Sequence, residues 1–346
     1  MYETFYKLTG KPFQLNPDPA FFFGSRGHKR AFAYLQYGLY QSEGFIVITG
    51  EVGAGKTTIV RSLLEQLDRE KVVAAQLVST HLDADDMLRA VGIAFGLPVT
   101  TVSKAILLGS LEAFLCKLAT ENKRALLIVD EAQNLTARAV EELRMLSNFQ
   151  LGRHALLQSF LIGQPELRTM MQGPQMQQLR QRVTASYHLG PLDRAETQAY
   201  IEHRLHHVGW AGDPEFEPAC FNLIHSLTTG IPRRINTLCN RLLLAGFLAE
   251  RHRLGDADVQ AIAREIDEEM GANATLGLAP AAEGPDGSQS ELVAELPADG
   301  AILQVHLRHI EERIDRLDKT VGAAVDLLHR MLHPDKANKP GTPAGL

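Results

Sequence analysis

Phe45-Ile46-Val47-Ile48-Thr49-Gly50-Glu51-Val52-Gly53-Ala54-Gly55-Lys56-Thr57-Thr58 is an apolar, β-branched run that ends in a glycine-rich turn, and amphipathic helical spacing follows it. Strand, tight loop and helix in that order make a phosphate-binding loop, or P-loop. Gly50, Gly53 and Gly55 let the backbone curl until successive N–H groups face a polyphosphate, which also meets the positive end of the helix beginning near Gly55. Glu51, Val52, Ala54 and Thr58 complete the cradle. Lys56 is expected to reach the β and γ phosphates, and the Thr57 hydroxyl to ligate Mg2+.

Downstream, residues 72–78 read as a second strand and residues 84–95 and 102–119 as helices, an alternation that argues for a parallel sheet covered on both faces. The next apolar run, residues 125–129, ends in Asp130-Glu131-Ala132-Gln133. A carboxylate at the C-terminal end of a buried strand beside a P-loop is where a nucleotide-bound Mg2+ takes a protein ligand, the role expected of Asp130. Glu131 is placed to orient and deprotonate an attacking water. Alone, such a run is as readily a strand ending in a turn; the upstream P-loop decides between them. Residues 156–162 read as a fourth strand, joined to the third by a helix over 138–149. Gln164 follows that strand, expected beside the γ phosphate. Residues 177–189 read as a helix end, carrying Arg180 and Arg182, that runs into a short fifth strand.

Beyond Gly190 the alternation stops. Residues 194–208, 217–227, 233–250 and 256–268 all have helical period with no strand expected between them, which predicts a small α-helical domain. Ahead of the sheet, residues 1–23 are rich in Phe around Asn16-Pro17-Asp18-Pro19 and are expected to lie across the main body. Their rings either cover an adenine or simply tether the N-terminus. His203 and His207 have the i, i+4 spacing of a metal pair, but no third ligand stands at a recognisable offset, so they read as polar helix residues.

The chain of 346 residues is long enough for two to three compact units, and 45% hydrophobic with 22% charged residues is ordinary globular composition. A net charge of −6 provides no global attraction to nucleic acid or anionic lipid. Cys116, Cys220 and Cys239 are far apart and read as reduced, buried thiols. No leader pattern opens the chain, and no apolar run is long enough to span a membrane. A cytoplasmic protein is expected, held at the inner membrane, if at all, through a partner.

The P-loop, Asp130-Glu131-Ala132-Gln133, Ile162-Gly163-Gln164-Pro165-Glu166-Leu167, Leu179-Arg180-Gln181-Arg182 and Gly230-Ile231-Pro232-Arg233, in that order, resemble an AAA+ ATPase of the general secretion pathway protein A (ExeA) type, and within it the subfamily associated with exosortase (PEP-CTERM) and exopolysaccharide loci. The likeness covers about the first 270 residues. It implies an αβα P-loop core with an all-α lid, ATP and Mg2+ held by Lys56, Thr57 and Asp130, and water activation by Glu131. It also implies Gln164 as sensor 1, Arg233 as sensor 2 from the lid, and Arg182, in preference to Arg180, as an arginine finger toward a neighbouring subunit. Most AAA+ proteins carry Asn, Ser or Thr where Gln164 stands. Larger secretion relatives continue into a membrane span and a peptidoglycan-binding domain, which are not seen in this sequence. An envelope or secretion-system protein is the implied partner. The alternative is an ATP-dependent nucleic-acid regulator of the transposition or replication-initiator type, but no winged-helix or helix-turn-helix pattern with clustered Lys and Arg follows the lid, so nucleic acid is not an expected partner.

Residues 271–300, rich in Ala, Gly, Pro and acids, read as a disordered linker. Then Leu303, Ile310, Leu317, Ala324 and Met331 recur every seven residues, as do Leu307, Ile314, Val321 and Leu328. This is a coiled-coil seam, able to join copies of the chain or to dock on the ATPase body. The expected domains are therefore a core over 1–190 including the N-terminal aromatic segment, a lid over 191–270, a linker over 271–300, a coiled-coil helix over 301–334 and a tail over 335–346.

Overall fold

A computed structural model of the chain describes residues 1–78, 82–99 and 103–274. The expected coiled coil and tail, and the linker beyond residue 274, lie outside these. Five strands, β1 (Phe45–Gly50), β2 (Val72–Val78), β3 (Arg124–Asp130), β4 (Leu157–Gly163) and β5 (Val183–Leu189), form one sheet in the order β2-β3-β4-β1-β5. Every adjacent pair is parallel. Side chains alternate across a strand, and both faces of the central strands β1, β3 and β4 are buried, whereas the edge strands β2 and β5 each leave one face exposed. Phe45, Val47, Leu127 and Val129 enter one hydrophobic core; Ile46, Ile48, Leu126 and Ile128 enter the other.

Helices α1 (Arg26–Gln41) and α2 (Lys56–Gln66) cover the second of these faces. Helices α3 (Ala84–Ala94), α4 (Lys104–Thr120) and α5 (Ala137–Leu146) contribute to the first, with Val140, Leu143 and Leu146 turned inward as their spacing predicts. A helix that the period reading missed, α6 (Pro165–Gln172), starts with Pro in its first turn, where the missing N–H is harmless. The loops that leave the carboxyl ends of β1, β3 and β4 therefore gather at one edge of the sheet, the edge at which open parallel sheets bind ligands.

Helices α7 (Arg194–His207), α8 (Pro218–Thr228), α9 (Pro232–Leu248) and α10 (Asp256–Ala274) form the helical lid around a third core. The strandless reading of this region needs correcting: Glu215–Phe216 pairs in parallel with Arg253–Leu254, a ladder too short to leave a period in the sequence. The N-terminal segment also differs from its expected place. Tyr2, Tyr6, Leu8 and Phe13 sit in the lid's core, not on the sheet, with the Tyr2 hydroxyl donating to Asn240 at 2.8 Å and the Tyr6 hydroxyl to the Arg251 carbonyl at 3.0 Å. Their rings complete a core that four short helices do not close alone. Cys220 and Cys239 are buried free thiols, whereas Cys116 is only half-buried, since its helix turns that side partly to solvent.

Candidate active site

The loop from Gly50 to Thr57 wraps the start of α2. Gly53 and Gly55 take φ of +82° and +97°, a backbone that side chains disfavour. Lys56, only 6% exposed, donates from Nζ to the carbonyls of Gly50 at 2.6 Å and Glu51 at 2.9 Å. Burial lowers its pKa, against the charges of Glu131 and Asp130. The Thr57 hydroxyl donates to Asp130 Oδ2 at 3.0 Å, so the loop after β1 and the end of β3 meet directly. Burial raises the Asp130 pKa, and the hydrogen bonds from Thr57 and the Glu131 N–H oppose it.

Glu131 stands next, with φ of +53°. Its Oε2 accepts from Gln133 Nε2 at 2.6 Å and from Gln164 Nε2 at 3.0 Å, and Gln133 Oε1 in turn accepts from the Gln164 N–H at 3.0 Å. Burial opposes the charged form of Glu131, but these two amides and the Lys56 charge outweigh it, and the carboxyl titrates below its ordinary range. Gln164 thus reaches the site through Glu131. Gln133, unassigned from the sequence, closes the ring; its only signal was its place in the same four-residue motif.

The lid supplies the other wall. The Arg233 N–H, at the start of α9, donates to the Gly53 carbonyl at 3.1 Å, and a Cβ on Gly53 would stand 2.3 Å from the Arg233 Cβ. A cleft of about 190 Å³ runs between lid and loop, lined by Gly53, Lys56, Thr57, Glu131, Arg233 and Phe22 among others. Asn16, Pro17 and Phe21 to Phe23 also line it, so the aromatic segment does reach the cleft. His207 and His203 pack on the Phe21 and Phe23 rings, with ring centroids 4.2 and 5.5 Å apart. Among the described residues no group of three or more His, Cys, Asp or Glu is placed to hold a metal ion.

Arg182 is not in this set. It lies at the amino end of β5, half-buried, and its guanidinium donates to Ser147 Oγ at 3.0 Å and the Ser147 carbonyl at 3.3 Å. Arg180 donates to the carbonyls of Met171 at 2.6 Å and Gly173 at 2.9 Å. Two further cleft residues escaped the sequence reading, His28 and Arg204, each a single polar residue in an otherwise ordinary helix.

Residues 39–171 match the family model of an AAA domain. The fold is shared with the Cdc6p of Pyrobaculum aerophilum (TM-score 0.57, 14% identity, 76% of this chain and 70% of that one) and with the Aeropyrum pernix ORC1 protein solved in complex with DNA (TM-score 0.55, 18% identity, 79% and 74%). At such identities the likeness shows the fold alone. Sheet order, P-loop, the Asp130-Glu131 pair and the AAA match give this chain a P-loop αβα core of the AAA type. The chain is 40% identical over 268 residues to the General secretion pathway protein A of Aeromonas hydrophila, covering 77% of this chain and 48% of that protein. An uncharacterised HTH-type transcriptional regulator of Methanocaldococcus jannaschii is 23% identical over 230 residues, 64% of this chain and 52% of that one. The chain spans about half the length of the curated relatives it matches.

Proposed function

We propose that this chain is a Mg2+-dependent ATP hydrolase that serves as motor or switch for a secretion, exopolysaccharide or exosortase-associated envelope system. The observation that carries the chemistry is the contact of Thr57 with Asp130 beside Lys56 and Glu131, between loop and lid. The Gly50 to Thr58 backbone and Lys56 hold the triphosphate, and Lys56 exchanges its two loop carbonyls for phosphate oxygens. Asp130 and Thr57 would hold Mg2+, which would supply neutralisation of the phosphate charge. Glu131 takes a proton from water as its oxygen attacks the γ phosphorus; the bond to the β-phosphate oxygen breaks, and ADP and phosphate leave. Gln164 and Gln133 aim the Glu131 carboxylate, and Arg233 carries the change of phosphate state to the lid. Copies of the chain associate through the ATPase body and the heptad segment, with Arg182 offered to a neighbour's nucleotide.

The envelope assignment rests on the similarity to General secretion pathway protein A, and a position at the inner membrane through a protein partner goes with it. No described helix is long and apolar enough to cross a membrane. Lys56→Ala is expected to lose ATP binding, and Glu131→Gln to keep it while turnover drops roughly 10²-fold or more. Nucleotide titration beside a phosphate-release assay reads both. Unchanged turnover in Glu131→Gln removes that residue from the chemistry. A DNA-stimulated turnover would favour the nucleic-acid regulator instead.

A further inference from the structure

His28 is a buried histidine, 6% exposed, on the first turn of α1, and the ATP mechanism above makes no use of it. Its Nε2 lies 3.0 Å from the carbonyl oxygen of Ala54, in the middle of the P-loop. A carbonyl only accepts, so Nε2 carries the proton. On the other side of the ring Nδ1 lies 2.6 Å from Ser25 Oγ, and Ser25 Oγ accepts from the His28 N–H at 3.2 Å and caps the helix. The imidazole is thus fixed at both nitrogens, and its burial disfavours the charged form. It also packs edge-on to Phe22, with ring centroids 6.2 Å apart.

We propose that His28 is a positioning residue for nucleotide binding: by holding the Ala54 carbonyl it aims the Gly55 N–H at the phosphates. In a planar trans peptide the carbonyl and the following N–H point opposite ways, so fixing the Ala54 oxygen toward the ring turns the Gly55 N–H away from it. The loop has little else to define this peptide plane. Gly55 has φ of +97°, where glycine moves freely, and a Cβ there would stand 2.8 Å from His28 Nε2. Glycine at 55 and histidine at 28 are therefore one unit: the missing side chain leaves room for the ring, and the ring restores the rigidity that glycine lacks. The base of the ring is itself held, because the Arg26 N–H donates to Glu196 Oε1 at 2.9 Å and its guanidinium is ion-paired to Asp193, both at the start of α7. Such an N–H contacts phosphate in the ground state and the transition state alike, so its loss weakens binding and leaves turnover at saturation nearly unchanged.

This inference rests on the ATPase reading, and the test separates the two. Wild type, His28→Leu, His28→Asn and His28→Gln are compared for ATP affinity, kcat at saturating ATP and unfolding midpoint. Leu has no donor and Asn is too short, so both are expected to bind ATP roughly tenfold more weakly with kcat within about threefold of wild type. Gln places an amide N–H near the Nε2 position and is expected to recover most of the affinity. Should His28→Leu not fold, His28→Asn is read in its place. Wild-type affinity in His28→Leu or His28→Asn, or Gln as weak as Leu, overturns the role of His28 while the ATPase reading stands. A wild-type chain without turnover overturns the ATPase reading itself.

Discussion

Glu131 shows how a single residue is prepared for one task. Its left-handed backbone turns the side chain out of the strand direction of β3, and two glutamine amides on the same oxygen keep it charged despite partial burial. His28 is the opposite case, kept neutral. Burial pushes its pKa below 6.5, and the hydrogen bond to Ala54 only partly offsets this. Below that ordinary value the unfolded chain binds a proton that the folded ring refuses, so stability rises with pH there and is lost as pH falls. The unfolding midpoint of wild type is expected to fall between about pH 7.5 and about pH 5.5, and to fall less in His28→Gln, which has no titrating ring. Equal slopes in the two proteins would contradict a buried neutral histidine. At this scale the sequence was readable where chemistry demands a strict residue order, as in Gly53-Ala54-Gly55-Lys56-Thr57 and Asp130-Glu131. Gln133, His28 and Arg204 were not readable, because each owes its role to a partner far away in the chain or across a turn.

The aromatic segment and α7 act as one element. Arg204, 6% exposed, donates to the carbonyls of Pro12 at 2.5 Å and Gln14 at 3.3 Å and to the Tyr200 hydroxyl at 2.9 Å, and its guanidinium lies 4.7 Å from the Phe21 ring centre. Tyr200 passes the bond on to Asn236 Oδ1 at 2.9 Å. A cation bound mainly to carbonyls fastens the strap of residues 12–23 along the cleft. Arg204→Met keeps the bulk and removes the donors, and is expected to lower stability by about 1–3 kcal/mol. Limited proteolysis should then cut within residues 12–23 faster than in wild type; unchanged cleavage would mean that the aromatic rings alone hold the strap. Elements with a long period, such as α7, α8 and α9, were legible within a residue or two, since a buried stripe must recur along them. The Glu215–Phe216 ladder and α6 were not: a two-residue pairing has no period, and α6 buries only Leu167 and Met171.

For the whole molecule, the parallel sheet and helical lid were legible because the alternation of strand and helix stops sharply after β5. That the N-terminus joins the lid's core was not, since its aromatics fit either body. The proposal that Arg182 completes a neighbour's pocket has a mass-action consequence: turnover per subunit must rise with protein concentration, and Arg182→Ala must flatten that rise. Arg182→Ala also frees Ser147 of its guanidinium partner, so its unfolding midpoint is measured alongside. The most direct measurement is phosphate release by the wild-type chain, with nucleotide binding followed in parallel, in Mg2+ and in excess chelator over a range of protein concentrations. The account predicts turnover that needs Mg2+ and climbs per subunit with concentration. ATP that binds yet is not turned over in Mg2+ at any concentration would contradict it.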